Sequence, residues 1–218
     1  MTRMLPRLAL ALLALALPGC SYSGGDIGDP ILRKVSWFSF LDGEDLRRSC
    51  AAGAPDRYRL AYNADYQQQV RVYELVGDSL SQLALDEPNL AISLDLADPL
   101  GSLKNRQTVV RLGPEQRAAL LNSFERSGMF QPPPVGLELP SDRFYWTAAA
   151  CHRGRFYFNA WLYPERWQEF DRVLIEFDRT GVPFNPPQRQ PKLAYNTDDP
   201  KLAFNLRVGP DGLFGLPR

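Results

Sequence analysis

The chain is short of the residues that most active-site chemistry needs. Of its 218 residues only one is histidine, His152, and three are cysteine, Cys20, Cys50 and Cys151. A single imidazole leaves too few ligands for the usual zinc or non-haem iron sites, and no HExxH, CxxC, Walker loop or dinucleotide fingerprint occurs. We expect no metal and no cofactor. An excess of charge is also missing, since 25 Lys and Arg balance 25 Asp and Glu. Nucleic acid is therefore not an expected partner, because neutralising phosphates takes clustered cations. The longest apolar run, Leu8 to Leu17, would span about 15 Å as a helix, half of a bilayer core, so it is too short for a stable transmembrane anchor. What is present, 44% hydrophobic and 23% charged residues, is the composition of a folded chain.

That apolar run follows a basic segment containing Arg3 and Arg7 and ends in Leu17-Pro18-Gly19-Cys20. A basic start, a short apolar core and a small residue before a cysteine, in that order, form an export signal. The closing four residues resemble the lipobox of bacterial lipoproteins, with Pro18 where the family more often has a small or hydroxylated residue. The resemblance implies that residues 1–19 are removed and that Cys20 becomes the lipid attachment site. It also implies membrane contact through acyl chains and a periplasm-facing domain. With Ser21 rather than Asp after the cysteine, the outer membrane is favoured. Two or more acyl chains hold a protein stably where one does not. Loss of Arg3 and Arg7 leaves 23 basic against 25 acidic residues, so electrostatic attraction to anionic lipid adds little.

With Cys20 taken by lipid, Cys50 and Cys151 remain in a chain exported to a disulfide-permissive space, and we expect them to pair. Residues 20–30, rich in Gly, Ser and Asp, read as a flexible tether. Residues 31–182 read as one α+β domain. Within it, Ile31 to Arg48 is densely apolar, and its pattern leaves helix and edge strand open. Period-two alternation then marks strands around Tyr58–Tyr62, Val70–Val72, Leu90–Leu96 and Gln107–Leu112, separated by turn residues as in an antiparallel meander. Pro114 opens a helix that Gly128 ends. Phe144-Tyr145-Trp146 and Phe156 to Leu162 form an aromatic hairpin turning at His152-Arg153-Gly154-Arg155. A second amphipathic helix spans Pro164 to Arg179, with Trp167, Phe170, Leu174 and Phe177 on one stripe. Two amphipathic helices on an antiparallel sheet make the α+β arrangement.

Residues 183–218 are Pro-rich and read as an extended, largely unpacked tail. Within it Pro191-Lys-Leu-Ala-Tyr-Asn recurs as Pro200-Lys-Leu-Ala-Phe-Asn, with a looser echo at Arg59–Asn63. Leu193, Tyr195, Leu202 and Phe204 are thus candidate partner-binding residues, as strands added to a partner's sheet edge; packing onto the chain's own domain is the alternative.

Three function classes follow. The leading one is an envelope lipoprotein acting as an interaction or assembly factor, without enzymatic activity. A second is a module binding a lipid or cell-wall fragment, in a cleft lined by Trp146, Phe156, Phe158, Trp161 and Trp167 or at the cationic tip His152, Arg153 and Arg155. The third is an esterase, because Gly77-Asp78-Ser79-Leu80 resembles the motif that names the GDSL esterases and lipases. That family's late Asp-x-x-His block is absent, so Ser79 would depend on His152 as base.

Overall fold

Alternation of apolar and polar residues builds the larger of two sheets. The computed structural model describes residues 21–64, 69–86, 106–182 and 204–217. Strands β1 (Arg57–Ala64), β2 (Gln69–Val76), β3 (Ser79–Asp86) and β4 (Arg106–Arg111) run as an antiparallel meander. The short β5 (Glu138–Pro140) leaves for a second sheet, while β6 (Phe144–His152) and β7 (Arg155–Leu162) form the aromatic hairpin beside β1. The six strands are ordered β4-β3-β2-β1-β6-β7. The fold is α+β, as the sequence leads one to expect. The expected strand Leu90–Leu96 lies outside the described residues.

Among the described residues four helices divide between the two faces of this sheet: α1 (Pro30–Asp42), α2 (Glu44–Ser49), α3 (Pro114–Arg126) and α4 (Trp167–Thr180). Helices α3 and α4 cover one face, where Tyr58, Leu60, Tyr62, Tyr73, Leu75, Trp146 and Trp161 meet Leu120, Phe124, Trp167, Phe170, Val173 and Phe177 in one core cluster. Helix α4 starts at Trp167 rather than Pro164, because residues 163–166 close a turn in which the Arg166 N–H donates to the Leu162 carbonyl, 2.9 Å. Its apolar stripe is unaffected by the later start.

The opposite face is covered as well, which the alternating pattern did not announce. Ile31 to Arg48 is helical: Asp29 caps α1 by accepting from the Ile31 and Leu32 N–H groups at 2.8 and 2.9 Å, and Pro30 takes the first turn, where its missing N–H costs nothing. Gly43, in the left-handed region at φ 69°, ends α1 and starts α2. Trp37, Phe40, Leu41 and Leu46 pack from these helices against Ala61, Val72, Ala149 and Phe158 of the sheet.

The rest of this layer is the small sheet β5-β8-β9, made by β8 (Phe204–Val208) and β9 (Leu213–Pro217) with β5. This corrects the reading of residues 183–218 as unpacked, since their last part is a paired hairpin. Phe204, Leu206 and Val208 are buried while Arg207 is exposed, the alternation of a half-buried strand only five residues long. Residues 183–203 lie outside the described residues. Deleting everything after Val182 would therefore uncover core as well as remove a tail.

Two devices fasten the second layer to the sheet. The Cys50–Cys151 disulfide forms as expected, with Cα atoms 5.5 Å apart, joining the end of α2 to β6. Arg59 of β1 is buried beneath α1 and α2, where it meets both Asp45 carboxylate oxygens at 2.7 and 2.9 Å, Glu74 at 2.6 Å and the Phe40 carbonyl at 3.0 Å. Its guanidinium lies 3.9 Å from the centroid of the Phe40 ring. Among the described residues no helix is long and apolar enough to cross a membrane.

Candidate functional site

The residues after Cys20 do not form a loose tether; from Ser21 onward they are packed on the domain. Tyr22 is buried, its ring edge-on to Phe40 at 4.9 Å between centroids. Its N–H donates to Ser39 Oγ at 2.8 Å, and its hydroxyl donates to the Gly25 carbonyl at 2.7 Å. Arg48 clamps the same two residues, donating to Ser21 Oγ at 3.0 Å and to the Tyr22 carbonyl at 2.7 Å. Ser21 and Ser39 hydroxyls donate to the Glu44 carboxylate and, with help from Arg48, hold it below the usual carboxylate range. The Gly, Ser and Asp of this segment serve geometry. Gly24 and Gly25 take φ of 122° and 108°, Asp26 accepts from the Gly28 N–H, and Asp29 caps α1.

Cys20 itself lies outside the described residues, so the structure's contribution is where its neighbour is held. Ser21 is bonded to α2, and Tyr22 is bonded to Ser39 of α1.

A second cluster surrounds the only histidine. The two-residue turn Arg153-Gly154, with φ of 51° and 73°, closes β6 onto β7 in the manner of a hairpin turn that needs left-handed conformations. This places His152 Nδ1 2.6 Å from the Tyr58 hydroxyl and 3.1 Å from Asp56 Oδ2, while Asp56 Oδ1 accepts from the Arg153 N–H at 2.7 Å. Burial would raise the Asp56 carboxyl, but the bonds from Arg153, Tyr58 and His152 win, so it titrates below the ordinary range. Burial, reinforced by Asp56, pushes the Tyr58 hydroxyl far above the ordinary phenol range. Phe130 stacks on the imidazole at 4.7 Å. A cleft of about 330 Å³ opens beside it, lined by Leu121, Asn122, Glu125, Phe130, His152, Arg153 and Tyr157.

Several expected sites are placed differently. Ser79 begins β3 just after the Gly77-Asp78 turn, and the pairs Ser79–Val76, Val76–Arg57 and Arg57–Cys151 set it three strands from the strand bearing His152. Three strand spacings are about 14 Å, far beyond hydrogen-bond reach. Of the expected aromatic cleft, Trp146, Trp161 and Trp167 are buried in the core, while Phe156 and Phe158 line a separate cleft of about 440 Å³ with Arg47, Phe130 and Arg155. Phe204 is buried in β8 with the Phe38 ring 5.1 Å away, so it serves its own domain. Leu193, Tyr195 and Leu202 lie outside the described residues.

Sequence reasoning missed Asp56, Tyr58 and Phe130 as neighbours of His152. Asp56 is 96 positions away and Tyr58 is 94, and no local pattern links them. Among the described residues no group of three His, Cys, Asp or Glu side chains is arranged to hold a metal. The chain matches no family model, no curated protein and no solved structure.

Proposed function

We propose that this chain is a lipid-anchored protein of the bacterial cell envelope. Its α+β domain faces the periplasm, favoured at the outer membrane, and works by contact as an interaction or assembly factor. The observation that carries the reading is the Cys50–Cys151 disulfide, which suits an exported chain and uses every cysteine but Cys20. Packing of the chain from Tyr22 onward adds to it, since a lipid at Cys20 would hold the domain at the membrane with almost no spacer. A Cys20→Ala variant tests the anchor: it should leave the membrane fraction, and unchanged membrane association would refute the proposal. Cross-linking of the intact lipoprotein in cells tests the contact role by whether a defined protein is captured.

A second reading, a module that binds a cell-wall fragment, is favoured by the cleft at His152. Its volume falls in the range of small-ligand sites. Asn122, Glu125, Arg153 and Tyr157 on its walls suit a polar fragment better than a lipid tail. Chemical-shift changes at His152 and Phe130 on adding soluble muropeptides would favour this reading; their absence at saturating ligand would remove it.

A further inference from the structure

Helix α1 buries Arg33, Ser36, Trp37, Phe40 and Leu41 against the domain. Its outer side carries a second set of apolar residues. Ile31, Val35 and Phe38 are spaced at i, i+4 and i+7, so they form one stripe, and they are 76%, 49% and 46% exposed. Lys34, also exposed, shares this side through its i+3 and i+4 spacing to Ile31 and Phe38. Asp42, which continues the line of the stripe, is neutralised locally: Arg47 meets its Oδ2 at 2.8 Å and the Leu213 N–H its Oδ1 at 2.6 Å. The outer side of α1 is thus apolar with a cation on its flank, the pattern of a helix that lies in a membrane interface.

We infer that the Ile31-Val35-Phe38 stripe rests on the bilayer that holds the acyl chains of Cys20, with Lys34 at the level of the lipid phosphates. The inference depends on the lipid-anchored reading above, and the length of free chain selects the occupant. Tyr22 is hydrogen-bonded to Ser39, which follows Phe38 directly and lies one turn beyond Val35. Only Ser21 lies between Tyr22 and Cys20, two chain steps with a reach of at most about 7 Å. Acyl chains on Cys20 therefore enter the bilayer beside this stripe, and so short a leash cannot carry α1 away from the surface. A partner protein would have to displace the membrane from the one apolar face that the anchor holds against it. The small sheet meets this side only at its far end, through Phe204 on Phe38 and the Leu213 N–H on Asp42, and leaves Ile31 and Val35 exposed.

The test uses the full lipoprotein in vesicles of phosphatidylethanolamine and phosphatidylglycerol. The photoreactive residue p-benzoylphenylalanine replaces Ile31, Val35 or, as a control, Ile175, which is exposed on α4 behind the other face of the sheet. Phe38 is left intact because its ring packs on Phe204. The inference predicts phospholipid adducts by mass spectrometry at positions 31 and 35 and only background at 175. Vesicle-bound protein giving background at all three, or equal adducts at all three, would overturn the docked face while leaving the anchor standing. Protein that fails to float with vesicles and carries no acyl mass at Cys20 would overturn the anchor and the inference together. Adducts at 31 and 35 to another protein or a second copy, when the same variants are irradiated in cells, would replace the membrane with that partner.

Discussion

Replacing Arg59 with Met isolates the ion pairs that bolt α1 and α2 to the sheet. The side chain of Arg59 is 2% exposed and that of Asp45 11%. Desolvation opposes the guanidinium charge, but Asp45 and Glu74 outweigh it and keep Arg59 protonated. Methionine retains much of the aliphatic stem and removes the guanidinium that lies over the Phe40 ring, leaving the Asp45 and Glu74 carboxylates and the Phe40 carbonyl without that partner. Breaking a buried pair by removing one partner costs about 3–5 kcal/mol. With a urea m-value of about 2–3 kcal/mol/M, expected for a domain of this size, the unfolding midpoint should fall by roughly 1–2.5 M. The triple variant Arg59→Met, Asp45→Asn, Glu74→Gln should recover much of that loss, because no uncompensated charge remains. Equilibrium urea denaturation followed by far-UV circular dichroism measures both. A midpoint unchanged in Arg59→Met, or a triple variant no more stable than the single one, would refute the reasoning.

Three further outcomes follow from the structure. Cys50→Ala with Cys151→Ala opens a loop spanning 101 residues in sequence separation, and should lower stability by about 3–5 kcal/mol in urea unfolding; a loss below about 1 kcal/mol would show that the crosslink constrains little. Gly154→Ala places a methyl group 2.8 Å from the Ala51 carbonyl oxygen at a φ of 73°, costing about 2 kcal/mol or more, with shifted amide signals at Asp56 and Arg153 as its local signature; an unperturbed spectrum would contradict the close approach. Tyr58, Tyr62 and Tyr73 have hydroxyls raised by burial. A group whose folded pKa lies above its unfolded value adds stability below the unfolded value, about 10 for tyrosine, and that stability is lost as pH rises beyond it. Absorbance at 295 nm should therefore show these tyrosines ionising only as the protein unfolds in alkali, and their titration near pH 10 in the folded state would contradict their burial.

How much of this was legible in the sequence depended on whether a pattern was local. Strands β1, β2 and β4, the hairpin at Arg153-Gly154 and helices α3 and α4 follow from period-two and helical spacings that each lie within one element, whereas β3 (Ser79–Asp86) was not among the expected strands. The second layer did not show itself, because Arg59 alternates with Tyr58 and Leu60 and reads as facing outward, whereas it is buried. A signal for α1 was present in Asp29-Pro30, an N-cap followed by proline, yet the apolar residues on both sides of that helix masked its period. The polar composition of residues 20–30 suggested flexibility, whereas residues 21–30 form turns and a helix cap. Of the repeated segments only Phe204-Asn205 falls among the described residues, where it opens β8. The His152 cluster joins segments more than 90 positions apart, and no residue in it advertises the others.

The most direct measurement of the central claim is the intact mass of the N-terminal peptide from protein purified out of membranes with detergent. The account predicts a peptide beginning at Cys20 and carrying a diacylglyceryl group, with or without a further N-acyl chain. An unmodified peptide, or one that begins upstream of Cys20 with the apolar run still attached, would contradict it.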